Sequence, residues 1–348
     1  MSPFKYLAYA AVTALLLGLI HLSVFFYQLG APVQAEYWLY ESAIVKHNLI
    51  AAIKEPKLVV LGGSNALFGI DSTLVEHTLG IPTINLALHA GLSFEHLFQE
   101  AQQYLQPHDH VLLAIEYYRY TRMNPYSLWF TNQMMTWDTA FFWKLPTLEK
   151  IQFILSVPMH RLVAGAIAQV FRERAGVFEQ RRLSSPEHVI QRHAQHVRKI
   201  SDTPIIYSAL NLDRHGDIVT SKKSLVSDDD YGLTKPFAYS ERVWDEFRRF
   251  AKYCSDRDIS VYIAWSPVMK NTKLDFGSKA VHAHLQNLMT QMQAHQLQML
   301  GLPVEYQYDR DLFSDTADHL SPIGRSIRTQ ALLQYLKQYP FPSLASQQ

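Results

Sequence analysis

Between Lys57 and Glu116 three short, nearly uninterrupted apolar runs alternate with two amphipathic stretches. "KLVVL" (57–61), "TINLAL" (83–88) and "HVLLAIE" (110–116) are bounded by turn residues and too short for buried helices, so each predicts a strand. "DSTLVEHTLG" predicts a short helix, capped by Asp71 or Ser72 and stopped at Gly80. Residues 93–106 predict a second, with Leu97, Phe98, Ala101 and Leu105 at helical spacing and Pro107 behind. Strands apolar on both faces and separated by helices require a parallel sheet covered on both sides. The class is α/β.

The alternation resumes near the C-terminus. A helix starts at Ser240 and carries Val243, Phe247, Phe250, Ala251 and Cys254 on one face. "ISVYIAW" (259–265) predicts a fourth strand, 278–299 a long helix with Val281, Leu285, Leu288, Met289 and Met292 inward, and "PVEYQY" (303–308) a fifth strand. Ser321 and Pro322 open the last helix. Between the two halves, 117–238 reads as a large, mainly helical insertion. It begins with an aromatic-rich stretch to 145, continues as helices over 147–200 broken at Pro158, and ends with a hairpin over 204–221 that turns at "RHGD". No Pro/Gly/Ser-rich linker flanks it, so a separate domain is the weaker reading.

Residues 6–27 contain no Asp, Glu, Lys or Arg and have the length of a membrane-crossing helix. Lys5 precedes them and Glu36 and Glu41 follow, which places the N-terminus in the cytoplasm and the rest outside. A signal peptide cleaved after "VQA" (33–35) is the rival, but the apolar run is long for one, and an uncleaved anchor is favoured. The expected organisation is an anchor at 1–28, a connector at 29–56 and a domain at 57–340. A formal net charge of +1 gives no basic field for nucleic acid. Cys254 stands alone, so no intramolecular disulfide forms.

The first strand runs into "GGSNALFGID". A phosphate loop needs GxxxxGK[ST] and a dinucleotide site GxGxxG, and neither is present. A nucleophile elbow needs small neighbours around an exposed serine. Gly62, Gly63 and Ala66 supply them around Ser64; the plain alternative is a βα turn whose serine caps a helix. "LFSDTADHLSPIG" (312–324) places Asp315, Asp318 and His319 just before the last helix. A serine hydroxyl needs a base, and a histidine base needs a carboxylate to set its tautomer. In a parallel sheet both loops fall at the carboxyl edge, where such sheets bind ligands.

With these residues in place, the chain resembles SGNH (GDSL-type) hydrolases. It is most similar to the membrane-anchored periplasmic branch that includes the D-alanyl transfer protein of teichoic acid synthesis and alginate O-acetylation proteins. "GGSNALFGID" matches the nucleophile block, "INLALHAG" the second block with Gly91 as its glycine, and "DHLSPIG" the histidine block. The resemblance covers 57–116 and 240–337. It implies a three-layer sandwich with a mostly parallel, flavodoxin-like sheet, and a Ser64, His319 and Asp site. The third block departs from the family: Glu116 and Tyr117 stand where a Gly-x-Asn is usual, and ionised glutamate cannot donate to an oxyanion. The oxyanion hole then rests on the N–H groups after Gly63 and at Gly91, with Asn65, Asn85 or Tyr117 as further donors. Asp315 lies four residues before His319 and Asp318 directly beside it; Asp315 is preferred, and both stay open.

Sixteen histidines raise a metal reading, but no HExxH occurs, and His188, His193 and His196 read as a basic helix face. No metal or cofactor is expected. His89, at the end of the second strand, is read as a satisfied, partly buried histidine. The expected function is an esterase or O-acyltransferase held at the bacterial inner membrane with its domain in the periplasm. It would act on an acylated envelope glycan or polymer, with the glycan or an acyl-donor protein as its partner. The competing class is a non-catalytic binding or scaffold protein of an envelope polysaccharide or acylation complex.

Overall fold

In a computed structural model, residues 3–33, 35–124, 126–171, 183–196, 207–219 and 223–341 are described. In chain order the first elements are α1 (Pro3–Tyr27), α2 (Tyr37–Ala52), β1 (Leu58–Gly62), α3 (Ser64–Gly69), α4 (Ser72–Leu79), β2 (Thr83–Asn85), α5 (Phe94–Gln102) and β3 (His110–Ile115). Four helices follow: α6 (Leu128–Thr136), α7 (Thr139–Lys144), α8 (Thr147–Ser156) and α9 (Met159–Val170). The remainder is α10 (Pro186–His196), α11 (Glu241–Ser255), β4 (Ser260–Trp265), β5 (Val268–Met269), α12 (Lys279–Ala294), β6 (Gln298–Leu300), β7 (Gln307–Tyr308) and α13 (Pro322–Leu336). The chain divides into two units, one of 1–37 with 126–184 and one of 38–125 with 185–348.

In the larger unit five strands lie in the order β2-β1-β3-β4-β6, every neighbour parallel. Counting these strands alone the order is 2-1-3-4-5, a doubly wound, flavodoxin-like arrangement that reverses direction beside β1. Every residue of β1 and β3 is buried, and side chains alternate between faces, so both faces are covered. Right-handed crossovers in opposite directions put the helices on opposite faces. α5 and α11 pack together on one, and α13 packs against α3 and α4 on the other. Phe98 stacks on Phe250 at 4.2 Å and meets Phe247 edge-on at 5.4 Å, which joins α5 to α11. Burying such a ring stabilises by roughly 1.5–3 kcal/mol. α2, expected as part of a connector, buries Leu39, Val45 and Ile50.

Several expected elements shift. The strand over 83–88 is regular only to Asn85; beyond it Leu86 N–H still donates to the Val60 carbonyl at 2.9 Å, while Ala87 N–H turns to Asn85 Oδ1. The 93–106 helix stops at Gln102. The 278–299 helix ends at Ala294, and Gln296, at φ +56°, turns the chain so that 298–300 becomes the edge strand beside β4. The segment expected as the fifth strand, 303–308, begins as a 3-10 turn over Pro303–Tyr306, and β7 pairs only with β5. A bridge between Leu212 and Ile218 closes the turn expected at "RHGD", with Gly216 at φ +80°. Residues 204–206 and 220–221 of that hairpin lie outside the described residues.

The smaller unit gathers α1 and α6 to α9, so the stretch 117–238 read as one insertion divides between the two units. α1 is the one described helix that is long and apolar enough by itself to cross a membrane. Its C-terminal end packs into aromatic rings: Phe25 lies 5.2 Å from Phe142 and 6.3 Å from Phe153. The buried Arg161 guanidinium donates to Gln28 Oε1 at 2.6 Å and to Asn132 Oδ1 at 2.5 Å.

Candidate active site

β1 delivers Gly63 as the N-cap of α3 and Ser64 as its first residue, beside β3 at the point where strand order reverses. Glu116 follows β3 directly. A Cβ on residue 63 would overlap the Glu116 carboxylate, so a larger residue there would have to displace that side chain. That carboxylate accepts the Asn65 N–H at 3.2 Å and Arg119 Nη1 at 3.3 Å, while Arg119 Nη2 reaches the Leu92 carbonyl at 2.8 Å.

The amides expected as oxyanion donors have other partners. Asn65 Nδ2 donates to the Ala114 carbonyl at 3.1 Å. Arg328, buried in α13, donates to the Asn65 carbonyl at 2.8 Å, to its Oδ1 at 3.2 Å and to the Trp265 carbonyl at 2.9 Å. Asn85 Nδ2 bridges the Ala66 carbonyl at 3.0 Å and Asp217 Oδ1 at 2.7 Å. The Gly91 N–H donates to His89 Nδ1 at 2.9 Å. Tyr117 stacks on Trp265 at 6.1 Å, and its hydroxyl is buried with no hydrogen-bond partner among the described residues. The Ser64 N–H has no described partner either.

His319 reaches the site from the loop before α13. Ser314 N–H donates to the His319 carbonyl at 2.9 Å and a bridge joins Phe313 to Leu320, so the loop closes on itself. This brings Asp315 Oδ1 to 2.9 Å from His319 Nδ1. Tyr207, which sequence reasoning did not single out, donates its hydroxyl to Asp315 Oδ2 at 2.5 Å. Burial pushes the Asp315 carboxyl up, but the bonds from His319 and Tyr207 outweigh it and hold the pKa below the ordinary carboxylate range. Phe68 stacks on the His319 ring at 4.3 Å. Phe68 and Ser64 are four residues apart on α3 and share a face, so the imidazole packs on the helix that Ser64 heads. Ser64 is 9% exposed and His319 6%. Among the described residues, Ser64 Oγ and His319 Nε2 make no hydrogen bond.

Asp318 has a different environment. Its N–H donates to Thr316 Oγ1 at 3.3 Å, while its Oδ1 is buried without a partner among the described residues. Burial first, then the charges of Glu116 and Asp229, push its carboxyl up to about 8. The geometry therefore sets Asp315, not Asp318, against His319. His89 is pushed down to about 4, mainly by burial, with His319 adding and Glu116 opposing; it is neutral near pH 7.

The Asp318 shift makes a stability prediction. Folded Asp318 holds its proton up to about pH 8, whereas an unfolded carboxyl loses it near 3.8, so stability falls as pH rises through that window. Asp318→Asn removes this loss. The variant should match the wild type in unfolding free energy at the acid end of the window and pull ahead of it by roughly 1.4 kcal/mol per pH unit towards the alkaline end. A difference that does not change with pH would contradict the assignment.

No protein-family model matches the chain, and no curated protein gives a match.

Proposed function

We propose that this chain is a membrane-anchored serine esterase or O-acyltransferase of SGNH type. The observation that carries the reading is the 2.9 Å bond from His319 to Asp315, on a loop that sets the imidazole over the helix headed by Ser64. Asp315 accepts the Nδ1 proton, which leaves Nε2 as the base. Ser64 Oγ attacks an ester carbonyl and passes its proton to Nε2. The leaving alcohol takes that proton as the acyl-serine forms. Water or a glycan hydroxyl then attacks, deprotonated by Nε2, and Ser64 recovers its proton as the new acid or ester leaves. The Ser64 N–H faces the developing oxyanion. The Gly91 N–H joins it once His89 turns away.

The substrate class in this reading is an acylated envelope glycan, with an acyl-donor protein supplying transfer. The support is α1 together with Lys5 before it and Glu36 and Glu41 after it, which favour a single-pass protein of the bacterial inner membrane with its site in the periplasm.

One observation favours the scaffold reading: Glu116 occupies the third-block position, and the N–H groups of Asn65 and Gly91 already have partners. A serine-directed fluorophosphonate applied to the full chain separates the two readings. Enzyme chemistry predicts labelling that Ser64→Ala abolishes, with hydrolysis of a small acetyl ester lost in parallel. Labelling that persists in the variant moves the reactive hydroxyl elsewhere. A wild-type chain that neither labels nor hydrolyses supports the scaffold.

A further inference from the structure

α8 and α9 each carry two apolar stripes. One stripe faces inward, with Phe153 and Ile154 on α8 and Leu162 and Ala168 on α9 buried. The opposite stripe is exposed, with no protein against it among the described residues. On α8 it is Leu148, Ile151 and Leu155; on α9 it is Met159, Val163, Ile167 and Val170, all at helical spacing and all exposed. Leu155 is 76% exposed and Val170 65%. Between 147 and 170 no exposed residue is Asp, Glu, Lys or Arg. A helix face turned to water is polar, so two adjacent helices with apolar outer faces mark an interaction surface.

The surroundings identify the occupant. α9 packs against α1, and α8 meets the C-terminal end of α1 through Phe153 and Phe25; α1 is itself long and apolar enough to cross a membrane. Phe26 stacks on Trp143 at 5.8 Å, and Phe26, Tyr27 and Trp143 are all exposed where α1 meets α7 and α8, the composition of an interfacial aromatic belt. A Cβ on Gly165 would overlap Gln28 and Arg161, so α9 approaches the end of α1 too closely for a side chain. The apolar stripes are thus continuous with the membrane helix. The helix axes bend by 90° at Pro158. With ten and twelve residues, the helices are about 15 and 18 Å long, too short to cross a hydrocarbon core.

We propose that α8 and α9 form a second membrane contact, an interfacial hairpin whose outer stripes rest in the same bilayer that α1 crosses. Lipid acyl chains cover Leu148, Ile151 and Leu155 on one arm and Met159, Val163 and Ile167 on the other. Lys144, at the end of α7, and Lys150, in the first turn of α8, meet anionic headgroups. The contact is independent of any chemistry at Ser64.

The test uses the full chain in vesicles of phosphatidylethanolamine and phosphatidylglycerol. Leu155→Cys and Ile167→Cys each receive an environment-sensitive fluorophore, and Arg248→Cys on α11 is the water-facing control. Native Cys254 stays unlabelled, because it is buried and burial pushes its thiol up to about 12, Arg257 opposing. The expected result is several-fold stronger quenching of the Leu155 and Ile167 probes by brominated acyl chains, with several-fold weaker quenching by iodide, than at Arg248. Iodide quenching equal to the control overturns the proposal. Shielding from iodide without quenching by brominated lipid overturns it as well, and indicates that protein covers this face.

Discussion

Asp315→Asn is expected to lower ester turnover by roughly ten-thousand-fold while leaving the fold intact. Asp315 Oδ1 accepts from His319 Nδ1 at 2.9 Å, and Oδ2 accepts the Tyr207 hydroxyl at 2.5 Å, so both oxygens work as acceptors. An asparagine puts an NH2 group at one of these positions. Facing Tyr207 it opposes another donor; facing His319 it forces the proton onto Nε2, the nitrogen that must receive the one from Ser64. Charge stabilisation of the imidazolium is lost in either case. Tyr207→Phe removes one bond to a half-buried carboxylate and should cost about ten-fold. Asp318→Asn should cost far less than Asp315→Asn, since Asp318 makes no bond to the ring. Initial rates on a small acetyl ester rank the three variants. If Asp318→Asn is the most damaging and Asp315→Asn is mild, the assignment of the orienting carboxylate is wrong.

Asp109→Ala should destabilise the sheet unit by about 3–5 kcal/mol. Asp109 is fully buried just before β3, and its carboxylate accepts Lys57 Nζ at 2.8 Å, the Lys57 N–H at 3.0 Å and the Gln106 N–H at 2.8 Å. The Lys57 side chain is only 1% exposed. Removing the acid strands an ammonium where water cannot reach it, which is the costly way to break a buried pair. Scaled to a unit of this size, the loss is a fall in thermal midpoint of roughly 10 °C. The double variant Lys57→Met/Asp109→Leu should recover most of it, because neither charge then remains to be desolvated. Both groups sit at the amino ends of the strands, away from Ser64, so fluorophosphonate labelling of the folded single variant should proceed at the wild-type rate. A midpoint within 2 °C of wild type, a fraction of 1 kcal/mol by the same scaling, would show that the pair contributes little.

How much of this was readable in the sequence follows from how local each signal is. β1, β3 and β4 were legible because a strand buried on both faces must be apolar throughout, and "KLVVL", "HVLLAIE" and "ISVYIAW" are. The fifth strand was not. β6 is an edge strand of three residues with an exposed glutamine, so it needs no apolar run, and its tight turn uses Gln296 where a glycine would have announced it. The division of the chain into two units was hidden as well, because α6 to α9 join α1 through side chains more than a hundred residues away. In the site, the glycines before Ser64 and the acidic loop around His319 could be read as polar punctuation between apolar elements. Asn65 and Asn85 were expected to face substrate, yet their amides are committed to partners 49 and 132 residues away. Tyr207 sits in a stretch with no periodicity to single it out. Phe68 could have been found, since it lies one helical turn from Ser64.

Arg328 connects the helix headed by Ser64 to the last helix of the fold, gripping Asn65 across 263 positions. A ribosome adding about 5–20 residues per second needs roughly ten seconds to a minute to span that interval. For that time a nascent chain lacks the guanidinium that pins the helix of Ser64 and the loop that carries His319. On the proposed function, reactivity at Ser64 would begin only when this final helix docks.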